Sequence, residues 1–297
     1  MKHHTLPVIA LIAGAIVWGI IWYPYRVLER AAISGEFASF ATYGLAFALG
    51  LVFFRVRKPG QRKLILLWIG LTAGWTNLGY ILATLHGEVM RVLLLFYLAP
   101  LWTVLFSRAL LGEVLNANGA LVILLSFAGA MIMLYQPGAF PLPENVAEWI
   151  GLSAGLTFAL SNVLARKAEE HDAQTKALAV FAGVMVLSLP AAMAKEPVAT
   201  TLTAVPASML ALLIFVGLAV FAINVVVQYG LAHTSANRAI VIFLFELVVA
   251  AFAAYFLAGE TMEMREWIGG GMIAAASLLS GKLKAGVRDQ GPSGKGQ

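Results

Sequence analysis

The sequence predicts an all-α integral membrane protein, with ten transmembrane helices in two inverted five-helix repeats. Three observations carry that expectation. Of 297 residues, 61% are apolar and only 12% charged, about half the charge of an ordinary soluble domain. The apolar residues gather into ten blocks, each close to twenty residues long. One polar outline also occurs twice, as HGEVMR at 86–91 and as HTSANR at 233–238.

The blocks cover about 7–28, 37–54, 64–85, 89–108, 117–135, 147–166, 175–194, 208–231, 236–258 and 266–284. That length spans a hydrocarbon core of roughly 30 Å as a helix. Lipid offers the backbone no hydrogen-bond partner, so a crossing segment closes its own bonds, and helix is the economical way. The first block follows Lys2 and imitates a signal peptide in outline. It carries Trp18 and Trp22 and runs beyond a signal core, so it counts as a span. There is no cysteine, which excludes disulfides and thiolate chemistry.

Lys and Arg orient the spans. With the amino terminus cytoplasmic, that side receives Lys2, the Arg55–Lys63 loop, Arg108, Arg166, Lys167, Lys176, Arg238 and the tail cations. These are 15 of the 20, against 5 on the other side: Arg26, Arg30, Arg91, Lys195 and Arg265. The positive-inside rule then places both termini in the cytoplasm. The basic balance reads as topology and contact with lipid headgroups. It does not read as nucleic-acid binding, because no soluble basic face exists to meet a duplex.

The repeated outline extends beyond its six residues. At a constant offset of 147, Asn77 matches Asn224, His86 matches His233, Arg91 matches Arg238, and Gly112-Glu113 matches Gly259-Glu260. The Pro-rich QPGAFPLPEN, residues 136–145, separates the copies. The expected domains are 1–140 and 141–285, followed by a cytoplasmic tail of 286–297. Five helices per copy is an odd number, so the second copy inserts upside down. Inverted repeats of this kind belong to secondary transporters, with the substrate site near the midplane between the halves. The His and Arg of the outline are expected to serve as interfacial anchors and caps.

Candidate site residues follow from depth. Glu246 falls almost at the centre of the ninth block without a cation nearby in sequence. An acid there costs a few kcal/mol (roughly 3) unless it faces the bundle interior, water or a partner. It suits a substrate amine, a relayed proton, or a hydrogen bond that pins its helix. Asn77 and Asn224 lie at equivalent mid-depth places, and Asn162 follows Thr157 and Ser161 on the sixth block. Amides in hydrocarbon either glue helices or hold a polar ligand. Trp68, Trp149 and Trp267 mark span ends, where indoles favour the headgroup boundary. Trp18, Tyr80, Tyr97, Trp102, Phe158 and Phe243 lie deeper, where rings pack helices or stack on a flat or cationic ligand. The small residues of the fifth and tenth blocks read as close packing, or as a dimer face.

Several functions are excluded. The five histidines, His3, His4, His86, His171 and His233, show no metal-ligand spacing. No GxxxxGK[ST] motif is present, so ATP is not the energy source and no ATPase subunit or cofactor is implied. An intramembrane enzyme would want paired acids or a His–metal cluster, and one mid-span acid does not supply it.

The segment YLAPLWTVLFSRALLGE, its echo FLFELVVAAFAAYFLAGE, and the pair Trp18-Gly19 resemble the drug/metabolite transporter superfamily, of the EamA type. In that family the fourth and ninth helices carry a proline element and end in Gly-Glu. Pro100 matches the proline, whereas Leu247 stands in its place after Glu246. In size and aromatic content the chain looks most like the family's bacterial aromatic amino acid exporters. The resemblance implies alternating access, a small-molecule substrate such as an aromatic amino acid, or alternatively a hydrophobic cation. It also implies the inner membrane as location; the residues leave a monomer and a dimer through the small-residue faces both open.

Overall fold

The computed structural model describes residues 5–55, 63–113, 117–135, 142–195, 197–198, 203, 205–234, 242–243 and 245–280. Among these, ten helical segments follow one another without a strand. They are α1 (Thr5–Arg30), α2 (Gly35–Phe53), α3 (Lys63–His86), α4 (Val89–Leu111), α5 (Ala117–Met133), α6 (Val146–Lys167), α7 (Ala173–Lys195), α8 (Ala207–Ala232), α9 (Phe245–Ala258) and α10 (Met264–Ser280). Six of them, α1 to α4, α7 and α8, are long and apolar enough to cross a membrane. The first residues of the expected ninth span, and Arg238 with them, lie largely outside the described residues, as does the tail.

Two spans are broken where the sequence suggested continuity. Helix α1 is interrupted at Ile21, and α4 at Tyr97–Leu98. The second break has a covalent cause. Pro100 has no N–H to give the Phe96 carbonyl, and its ring obstructs the preceding turn. The chain instead closes a tighter bond from Leu98 N to Leu95 O, at 3.2 Å, and resumes as helix at Ala99. Starts are capped by side chains. Ser34 Oγ accepts from Phe37 N, and Asn145 with Glu148 forms a reciprocal box in which each side chain reaches the other residue.

Helix packing repeats with the sequence. Helix α3 lies on α6 and α7, and α8 lies on α1 and α2; α4 meets α6, and α9 meets α1. Adding or subtracting five turns each of these contacts into another, while α2–α7 and α5–α10 map onto themselves. Close approach needs glycine at the crossing of α3 and α7, where a Cβ on Gly183 would stand 1.9 Å from the Gly70 carbonyl oxygen. Gly129 and Gly269 likewise place α5 directly against α10, so those small residues are spent on each other within the chain.

The offset of 147 also reappears in backbone geometry. Gly112 and Gly259 both end their helices with φ of +70°. The next amide then reaches back six residues, from Glu113 N to Ser107 O at 3.3 Å and from Glu260 N to Ala254 O at 3.2 Å.

Polar contacts gather at the two ends of the bundle. One end holds Arg26, His86, Arg91, Lys195 and Arg265 with their acids, and the other holds Arg55, Glu113, Arg166 and Gln174. They are called below the Arg91 end and the Arg166 end. Four of the five cations counted on the less basic side, Arg26, Arg91, Lys195 and Arg265, are each paired with a glutamate.

Candidate functional site

The break in α4 builds the site. It turns Tyr97 toward α9, where its hydroxyl faces the Glu246 carboxyl. The same hydroxyl lies 3.5 Å from the Phe243 carbonyl oxygen. Tyr80 of α3 is the second phenol beside Glu246, and it donates to the Trp18 carbonyl oxygen at 3.4 Å. Helix α1 comes this near because residue 19 is glycine: a Cβ there would stand 3.0 Å from the Glu246 carbonyl oxygen. Four helices, α1, α3, α4 and α9, thus meet around one carboxyl, and among the described residues no cation pairs with it.

An aromatic wall completes the arrangement. Phe96 lies between three rings, with centroids 5.8 Å from Tyr80, 5.9 Å from Tyr97 and 5.2 Å from Phe158. Helix α6 reaches it through Gly155, whose absent Cβ would fall 2.4 Å from the Phe96 carbonyl oxygen. Phe158 remains exposed along one side, and so does Asn162 one turn further. A carboxyl flanked by phenols and rings offers charge at one point and stacking faces around it.

Of the residues read from sequence, Trp18, Tyr80, Tyr97, Phe243 and Glu246 converge here, with Phe158 joined through Phe96. Others lie elsewhere. The Asn77 Oδ1 accepts from the Tyr43 hydroxyl at 2.6 Å and its Nδ2 donates to Ala73 O, tying α3 to α2. Asn224 donates to Val220 O in its own helix. Trp102 packs against the cluster built on Leu94, Leu98, Met133 and Ile273, its indole N–H buried without a hydrogen-bond partner among the described residues. Trp68, Trp149 and Trp267 are exposed at the rim, as expected for a headgroup belt.

The repeated outline needs one correction. Its histidines cap as expected, with His86 Nδ1 2.9 Å from Leu82 O and His233 Nδ1 2.8 Å from Tyr229 O. Arg91 is not an interfacial anchor. Its side chain is only 9% exposed and is held by Glu148 at 2.9 Å, Glu144 at 2.7 Å and Glu266 at 3.6 Å. A guanidinium fork needs several acceptors once it leaves water, and three acids converge to supply them. The exposed Glu88 beside this node has its carboxyl raised above the usual range, by partial burial first and then by the charge of Glu266.

Phe96, Arg26 and the acids around Arg91 were not singled out from the sequence. Phe96 carried a signal in Pro100, four residues on, which fixes the break that presents it. Glu148 and Glu266 open otherwise apolar blocks on the side where Arg91 stands, which is an ion pair in outline.

Helices through a membrane, converging on one internal polar site, define a multi-pass membrane transporter rather than an enzyme. The EamA-like transporter family matches the chain twice, over residues 5–135 and 145–281, and the chain belongs to that family. A protein of Archaeoglobus fulgidus described as an uncharacterized transporter is 26% identical over 275 residues, covering 91% of this chain and 94% of its own length. A solved structure titled "Crystal structure of protein" superposes with a TM-score of 0.60 over 93% of this chain and 96% of its own, at 16% identity, a likeness of fold alone.

Proposed function

We propose that the chain is a secondary carrier that exports aromatic amino acids or related small metabolites across the cytoplasmic membrane. In this reading residues 1–140 and 141–285 are inverted repeats, both termini are cytoplasmic, and the halves rock around one site between them. The observation that carries the reading is Glu246, a carboxyl with no cation paired to it among the described residues, faced by Tyr80 and Tyr97, whose rings pack with Phe96 and through it with Phe158. Such an acid is expensive unless it serves something. An ammonium group at Glu246, with a ring stacked on Phe96 and Phe158, satisfies both halves of the site at once. Trp18, Asn77, Trp102, Asn162, Asn224 and Phe243 complete the set proposed to line the path.

A second reading rests on the same carboxyl: hydrophobic cations, which also offer positive charge and apolar surface. Purified protein in liposomes loaded with radiolabelled phenylalanine, tyrosine or tryptophan separates the two. Efflux competed by unlabelled aromatic amino acids and not by quaternary ammonium ions is expected. Efflux of the quaternary ions alone assigns the chain to cation extrusion, and absence of both overturns the site.

A further inference from the structure

Among the described residues, the contacts that join the halves differ between the two ends of the bundle. At the Arg91 end, two arginines of the first half hold four acids of the second. Arg91 takes Glu144, Glu148 and Glu266, and Arg26 takes Glu260 at 3.4 Å while also donating to the Thr84 and Gly87 carbonyls. The Met90 amide adds a bond to Glu260 at 3.2 Å. At the Arg166 end the described contacts between halves are fewer: Arg166 with Glu113 and Ser107, and Arg55 N with Gln174.

Burial separates them further. The side chains of Arg91, Glu148 and Glu266 are 9%, 3% and 6% exposed. Those of Arg166 and Glu113 are 48% and 25% exposed. A pair out of water interacts several times more strongly than one bathed in it. The repeat itself does not explain the asymmetry. Glu113 and Glu260 are equivalent and serve one at each end, but the place of Glu266 in the first half is Gly119, and that of Glu148 is Met1.

We propose that Arg91 is the gating residue of the transport cycle: it latches the first half to Glu148 and Glu266 of the second, and must release them each time the site opens on its side. The latch holds the resting protein shut at that end. This rests on the alternating-access reading above, and its test reads conformation independently of which substrate is carried.

The cysteine-free chain allows clean labelling. One spin-label pair at Ala32→Cys and Val146→Cys reports the Arg91 end across the halves. Another at Arg108→Cys and Glu169→Cys reports the opposite end. In Glu148→Gln/Glu266→Gln, Arg91 keeps Glu144 and two amide oxygens as acceptors and no volume changes, which favours folding. The first pair is expected to gain a longer-distance population and the second to lose its longest distances. Unchanged distributions in a folded variant overturn the gate. An independent arm cross-links Glu88→Cys to Glu263→Cys, both exposed and from opposite halves, with a short thiol reagent. Exchange should stop on cross-linking, and return when a cleavable linker is cut. Exchange that continues through the cross-link overturns the gate even if the Gln variant fails to fold. If the distances shift but wild type exchanges none of the aromatic amino acids, the gate stands and the substrate reading falls.

Discussion

Helices α4 and α9 hold the same place in the two halves and have diverged in opposite directions. Both end in Gly-Glu with the same left-handed glycine and the same bond reaching back six residues. Between those shared ends, α4 is broken at Tyr97–Leu98 before Pro100, while α9 carries Leu247 at the matching place and instead ends in a π turn over Ala254–Ala258. The first copy contributes a bent backbone, Phe96 and Tyr97. The second contributes the acid, Glu246. Neither half can make the site alone, because the hydroxyl that faces Glu246 comes from the first copy and the acid from the second. Duplication supplied the frame, and divergence in the middle of two helices supplied the chemistry.

The largest effect is expected at the acid. Glu246→Leu removes charge and hydrogen bonding together, and transport should be lost while the protein still elutes as a single species. Glu246→Gln keeps the shape and the capacity to hydrogen-bond. A charge-assisted hydrogen bond contributes about 2 kcal/mol more than none, so the affinity for amino acids should fall by roughly 30-fold. Neutral analogues that lack the amine should bind as before. Competition binding against both kinds of ligand decides it. An equal loss for both would reduce Glu246 to a structural role and leave the divergence of α9 without a functional account.

A moderate effect is expected at the break. Pro100→Leu makes α4 like α9 and restores an N–H for the Phe96 carbonyl. Proline in a helix interior costs about 3 kcal/mol, but Pro100 stands in the first turn of the resumed helix, where it is tolerated, so the variant should gain only a small part of that. It should lose transport at the same time, because a continuous helix rotates Phe96 and Tyr97 away from α9. Thermal unfolding in detergent and efflux from liposomes read the two halves of this trade. A variant that gains neither stability nor a defect would mean that the neighbours, with Gly155 foremost, hold the break rather than the proline.

The sequence carried the ten helices to within a few residues at most described ends, six of them long and apolar enough to cross, because a membrane converts length and apolarity directly into helix. It also carried Glu246 and the rings around it, since an acid at the centre of an apolar block has few inexpensive places to stand. The partners were not legible. Asn77 and Tyr43 come together only through the crossing of α2 and α3. Arg91 looked like a headgroup anchor from its place beside a span end. Its burial depends on three acids from residues 144 to 266, and one sequence does not give that packing. Phe96 was hidden by its surroundings, one apolar residue in VLLLFYLAP, until the break singled it out.

The smallest effect tests the frame itself, and it should be the same at both ends of the comparison. Gly112 and Gly259 share a φ of +70°, and a Cβ on either would meet no atom within 4 Å. Alanine at either place is therefore penalised only by its backbone, by about 1 kcal/mol. Gly112→Ala and Gly259→Ala should lower the unfolding temperature in detergent by equal amounts, and asparagine at either position should cost less, because it tolerates the left-handed region. Unequal losses would break the equivalence of the two turns. Transport should then distinguish what stability does not. Glu260, next to Gly259, bonds Arg26 and the Met90 amide across the halves, whereas Glu113, next to Gly112, meets the exposed Arg166. Disturbing the buried partner should change exchange more than disturbing the exposed one, because the former belongs to the end of the bundle that is held shut.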